Sequence, residues 1–151
     1  MTETMQNQKT ADVLQAVYKN VKMASDSILN IMPKVKDEQL KSDLTVLLSA
    51  FDAFASRTAK ELAKEGVTPE EEGFMSKTMA KWGTMMNTMR DSTSSHLAEM
   101  MVEGATMGVN DLLRVLREAE NSKASEASMR LARDVCAFEE KIVEDMRAYL
   151  R

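Results

Sequence analysis

The residues best suited to chemistry fall between Ser92 and Asn110, in the stretch STSSHLAEMMVEGATMGVN. It contains the single histidine of the chain, His96, followed by Glu99 and Glu103. On a helix these three are related by steps of three and four, so their side chains emerge on one face. Neutral imidazole and carboxylate together suit Zn, Fe or Mn, so a divalent metal ion is what this face would take. A complete site needs a ligand from another helix. Glu139, at the edge of an apolar series near the C-terminus, is the candidate. The competing reading leaves His96 at the edge of a helical core and turns Glu99 and Glu103 to water, where carboxylates are usually found.

Methionine is the second conspicuous feature, with 14 in the chain and clusters at MMNTM and AEMM. Thioethers ligate Cu(I), and one histidine with many methionines also admits His/Met haem ligation. However, Met85, Met86, Met89, Met100, Met101 and Met107 recur at the spacing of a helix core, where methionine fills irregular gaps. Methionine-rich faces also serve adaptable protein contacts. Gly104 and Gly108, with Ala105, let another helix approach closely or leave room for a ligand. Cys136 lies among Val135 and Phe138 with no lysine or histidine beside it, which describes a buried hydrophobe rather than a reactive thiol. No nucleophile elbow, P-loop, dinucleotide fingerprint or Cys-x-x-Cys occurs. The sequence therefore leans away from an enzyme.

Helices must position these residues. The chain of 151 residues has 44% hydrophobic and 29% charged residues but only five glycines and two prolines, too few turn formers for a sheet protein. The size suits one domain. A net charge of -4, with basic and acidic residues interleaved, argues against a nucleic-acid partner. No apolar run reaches the roughly 20 residues that span a bilayer, and MTETMQNQKT lacks the apolar core of a signal peptide. With one cysteine, these features lead us to expect a cytoplasmic protein with no membrane segment.

Residues 1–9 are expected to form a flexible tail, with Thr10 or a neighbour capping a first helix and a single domain running over 10–151. Leu14, Val17, Val21, Ala24, Ile28, Ile31 and Val35 form its seam, and Pro33 limits its last turn. Asp37 caps a second helix with the series Leu40, Leu44, Leu47, Phe51, Phe54, Thr58 and Leu62, ending at Gly66. Thr68-Pro69-Glu70-Glu71 reads as a capping box that starts a further segment at Pro69. Asp91 to Ser95 favours a break, then a third long helix to about Glu120. Ser122 is expected to cap the fourth, whose seam is Leu131, Val135, Phe138, Ile142 and Tyr149. The segment of about 69–90 is long enough, at roughly 1.5 Å per residue, to return the chain to its starting end. The second and third helices would then run parallel.

This order of features resembles the uncharacterised bacterial ferritin-like four-helix-bundle proteins. The likeness rests on VKDEQLKSDL after the first helix, FDAFASRTAKELAKEGVTPEE, a short segment with KW, and a long glycine-containing helix. It implies a ferritin-like fold, all-α, with a helical crossover between helices 2 and 3, and a bacterial cytosolic origin. Di-iron members of that class carry an inward Glu on two helices and Glu-x-x-His on the other two. Neither Glu-x-x-His motif is present here, only the reversed His96-x-x-Glu99. The expectation is thus a non-catalytic bundle acting through binding or self-assembly, and the alternatives are a reduced metal site at His96, Glu99, Glu103 and Glu139, or a haem protein. Phe74, Met75, Met79, Trp82, Met85, Met86 and Met89 carry more apolar surface than one groove hides, so we expect a homo-oligomer through residues 74–89.

Overall fold

The computed structural model describes residues 3–70, 80, 84, 85 and 89–150. Among these residues there are four long helices: α1 (Glu3–Ile31), α2 (Glu38–Lys64), α3 (Ser94–Ala119) and α4 (Glu126–Met146). Among the described residues there is no β-strand. Each boundary has a local cause. Pro33 ends α1, and the chain tightens into a 3-10 turn over Met32–Lys34. Asp37 accepts a hydrogen bond from the Leu40 amide at 2.8 Å and so satisfies one of the free donors that open α2. Gly66 ends α2 with φ at +71°, a left-handed conformation that glycine adopts without a Cβ penalty. Thr93 caps α3 by accepting from the His96 amide at 3.2 Å.

Three expected boundaries move. The first helix begins at Glu3 rather than near Thr10, because Glu, Gln and Lys in the leading segment are good helix formers and no breaker interrupts them. Thr10 is buried inside α1, where its Oγ1 accepts from the Ser125 amide at 2.9 Å. The cap of α4 is Ser125, not Ser122. Ser125 Oγ accepts from the Ser128 amide at 3.1 Å, whereas Ser122 Oγ donates to the Ala119 carbonyl at the end of α3. Finally, Pro69 and Glu70 are not helical. The Gln15 side chain holds that stretch instead, donating to the Thr68 carbonyl and accepting from the Glu70 amide, both at 3.1 Å.

These cross-links fix the topology. Thr68 and Ser125 meet the N-terminal half of α1, so α2 ends and α4 begins at the same end of the bundle. At the other end Tyr149 donates to the carboxylate of Asp43 near the start of α2. Helices α1 and α4 therefore run one way, and α2 and α3 both run the other. Parallel α2 and α3 require a connection that travels the bundle's length, about 39 Å for the 26 residues of α3. Residues 65–93 make it. Ala80, Thr84 and Met85 are helical within it, and the coil at 89–93 breaks it from α3. Most of the apolar set expected at an interface, including Met79, Trp82 and Met86, lies outside the described residues; Met85 is exposed and Met89 packs against the core.

The core follows the expected seams. Leu14, Val17, Val21, Ile28 and Ile31 of α1 are sealed from solvent, as are Leu40, Leu44, Phe51 and Leu62 of α2. Each such side chain contributes about 1.5–3 kcal/mol by burial. Phe138 of α4 stands edge-on to Phe51, with ring centroids 5.2 Å apart, and to Phe54 at 5.5 Å. Thr58, the polar member of the α2 seam, turns its hydroxyl back to the Phe54 carbonyl at 2.7 Å and leaves its methyl for the core.

Candidate ligand-binding site

Side-chain size decides where the bundle fails to close. On α1, Ala16, Asn20 and Ala24 follow one another at helical four-residue steps, and Gly104 and Gly108 do the same on α3. Small residues face small residues, and between them lies a pocket of about 300 Å³. Phe51 and Ile142 close its inner wall, Met100 and Met101 line it, and Lys19, Asp111 and Arg114 stand around it. The charged residues are already committed. Lys19 pairs with Glu70 at 3.1 Å, and Arg114 with Asp111 at 2.8 Å.

Ser27 also belongs to the lining, and two polar side chains there carry a buried oxygen without a hydrogen-bond partner. Asn20 donates its amide to the Gly108 carbonyl at 3.1 Å, but its Oδ1 is buried with no protein partner. Glu139 is 2% exposed, and its Oε1 likewise has none. The carboxyl rests on Gly108: a Cβ at that position would lie 2.5 Å from Glu139 Oε2. Only glycine leaves that space. Burial, with the charge of Asp111 second, pushes the Glu139 carboxyl up from 4.5 to about 8. It is consequently mostly protonated at neutral pH. A buried carboxyl and a buried amide oxygen, both lacking a donor, line one apolar cavity.

The residues singled out for metal binding are placed apart. His96 Nδ1 comes within 3.7 Å of Glu99 Oε2 on the outer surface of α3, with Glu99 largely exposed. Glu103 is exposed, one turn further on. Glu139 does not join them. It meets Gly108, which is twelve residues along α3 from His96, or about 18 Å at 1.5 Å per residue. Among the described residues no three His, Cys, Asp or Glu side chains gather where they could hold a metal ion. The expected set of His96, Glu99, Glu103 and Glu139 is thus spread over a surface pair, an exposed carboxylate and a separate buried acid. Met100 and Met101 are buried in the core, and Met107 is exposed. Cys136 is buried, and loss of solvation pushes its thiol up to about 11, which keeps it unreactive.

The sequence puts Glu139 on the edge of the α4 seam, and its spacing already points to burial. Glu139 is four residues after Val135 and three before Ile142, both buried. Asn20 was missed. Its only mark is the alanine stripe on either side.

One-crossover connectivity with parallel α2 and α3 is the ferritin-like arrangement of four helices. Comparison with solved structures bears this out: a point mutant of Dps1 from Mycobacterium smegmatis superposes over the whole of both chains with a TM-score of 0.77 at 14% identity. The fold of the chain is therefore that of a ferritin-like, all-α four-helix bundle. No family model and no curated protein matches the sequence. No helix is long and apolar enough, among the described residues, to cross a membrane.

Proposed function

We propose that this chain is a non-enzymatic ferritin-like bundle that works by binding a small molecule in the pocket between α1 and α3. The observation that carries this reading is Glu139, a carboxyl sealed in an apolar cavity with an oxygen left without a partner. Leaving a buried acceptor unmatched costs about 1–3 kcal/mol, so a chain that keeps one next to a cavity has a use for it there. Pockets that bind small ligands are typically apolar with a few converging polar groups. Fluorescence-detected melting of the purified protein against a panel of small amphiphiles tests this. Stabilisation by a ligand that fails to stabilise a variant with the pocket filled, Ala24→Phe, supports the reading. No stabilisation by any member of the panel sinks it.

The reading also treats the chain as self-associating through residues 74–89, on the strength of their apolar composition. Charged substitutions at Met79 and Met86 are expected to keep helicity and shift light scattering toward monomer. A wild type that is monomeric at high concentration refutes this part. The rival is metal chemistry, for which the 3.7 Å contact of His96 with Glu99 is the starting point. That pair would need its remaining ligands from a second copy. Metal analysis of untagged protein separates the readings: two metal ions per chain with oxidase turnover, or a Soret band from haem, would replace the proposal.

A further inference from the structure

We propose that the ligand of this pocket is an organic cation, a primary ammonium group carried on an apolar body of roughly ten non-hydrogen atoms. The inference rests on the pocket being a binding site and names the chemistry that would fill it. Both unmatched atoms are oxygens, Glu139 Oε1 and Asn20 Oδ1, and once Glu139 is ionised both can only accept. The two side chains converge on Gly108, one by its amide hydrogen bond and the other by contact. A ligand that relieves both must bring at least two donors on one atom or on neighbouring atoms. An ammonium brings three and no acceptor. A hydroxyl brings one, and a carboxylate or phosphate brings none and would add negative charge beside Glu139 and Asp111.

Size and wall chemistry set the rest of the molecule. An apolar cavity of about 150 Å³ is known to take benzene, so the roughly 300 Å³ available here takes a ring with a short chain, or a comparable alkyl body. The walls are Phe51, Ile142, Leu112 and methionines, which adapt to shape without hydrogen bonding. The charge on the ligand is balanced inside the site. The ligand-free carboxyl is held protonated at neutral pH by its burial; on binding, the ammonium keeps its three protons and the Glu139 carboxyl releases its own to solvent. The charged groups around it are Lys19 on α1 and Asp111 and Arg114 on α3, whereas α2 offers only Phe51. With Lys19 and Arg114 engaged by Glu70 and Asp111, no free cation competes for Glu139 among these.

The experiment compares 2-phenylethylamine with its neutral counterpart 2-phenylethanol by isothermal titration into wild-type protein, with amide chemical shifts read at Gly104 and Gly108. The amine is expected to bind at least tenfold more tightly than the alcohol at pH 8 and to move both glycine signals. Its affinity should rise by up to tenfold per pH unit from 6 to 8 and then level off, with nearly one proton released per ligand at pH 6.5 in buffers of differing ionisation enthalpy. Glu139→Gln should remove the preference for the amine over the alcohol. Equal binding of alcohol and amine to the wild type, at the glycine signals, overturns the cation while sparing the pocket. Shifts confined to other residues overturn the cation as well. Binding of neither compound at millimolar concentration overturns both the cation and the pocket. The wild-type arm is decisive even if the variant fails to fold.

Discussion

Replacing Glu139 with glutamine should change how the stability of the bundle depends on pH. In the unfolded chain this carboxyl ionises near 4.5, and in the fold near 8, because the pocket strips its water and Asp111 repels its charge. A carboxyl raised in this way stabilises the fold fully below the lower value, where it is protonated in both states. That contribution fades as pH climbs, by about 1.4 kcal/mol per unit, until it is gone above pH 8. The whole loss is on the order of 5 kcal/mol, set against about 5–15 kcal/mol for a typical domain. Water entering from the mouth of the pocket reduces the figure without reversing its sign. Glutamine cannot ionise, so any fixed penalty for the amide is the same at every pH. Urea unfolding of wild type and Glu139→Gln at pH 5, 7 and 9 should therefore give curves that diverge with pH, the variant gaining on the wild type. Parallel curves over that range would refute the burial of an ionisable Glu139, and with it the account of the pocket.

Gly108→Ala places a Cβ 2.5 Å from Glu139 Oε2. Because the neighbour is the end of a side chain, it should yield by swinging into the pocket, and the cost is set against the roughly 1 kcal/mol that alanine gains over glycine in a helix; the Glu139 amide and side-chain chemical shifts should move, and shifts unchanged from wild type would contradict the contact. Phe51→Ala removes the inner wall and its edge contact with Phe138, and should cost about 3–5 kcal/mol by chemical denaturation. Tyr149→Phe cuts the tie to Asp43 and should cost about 1 kcal/mol near neutral pH. Loss of solvation and Asp43 push the Tyr149 phenol up to about 12, so the tie favours the fold below pH 10 and is lost on the way to pH 12. An equal alkaline transition in wild type and Tyr149→Phe would argue against it. His96→Ala should fall within about 0.5 kcal/mol of wild type, as exposed positions do.

The helices and their seams were legible because period and punctuation agree. Leu14 to Ile31 alternates steps of three and four, Asp37 caps, Gly66 stops, and the Asp91–Ser95 stretch breaks, each through chemistry local to the chain. What was not legible depended on distant partners. Thr10 and Ser122 are both good capping residues by type, yet Thr10 serves the start of α4 from inside α1 and Ser122 closes the end of α3. The capping box at Thr68 loses its first residues to Gln15, a competitor more than fifty positions away. The site shows the same division. A carboxylate at a seam position was visible, but reading Glu139 as a ligand for His96 ignored the axial distance between them. That its neighbours would be Asn20 and Gly108 follows only from laying the small-residue stripes of α1 and α3 against each other.

The bundle is two helical hairpins, α1–α2 and α3–α4, joined by the crossover, and that division has a kinetic consequence. Contacts within each hairpin are close in sequence and can form early, since short loops close quickly. The pocket draws its walls from both, so it comes into being only when the hairpins dock. Glu139 already rests on Gly108 within the second hairpin, but it loses the rest of its water only when Asn20 and Phe51 of the first hairpin arrive. Acid should therefore speed the docking step, and alkali slow it, to the extent that the transition state has already dried the carboxyl.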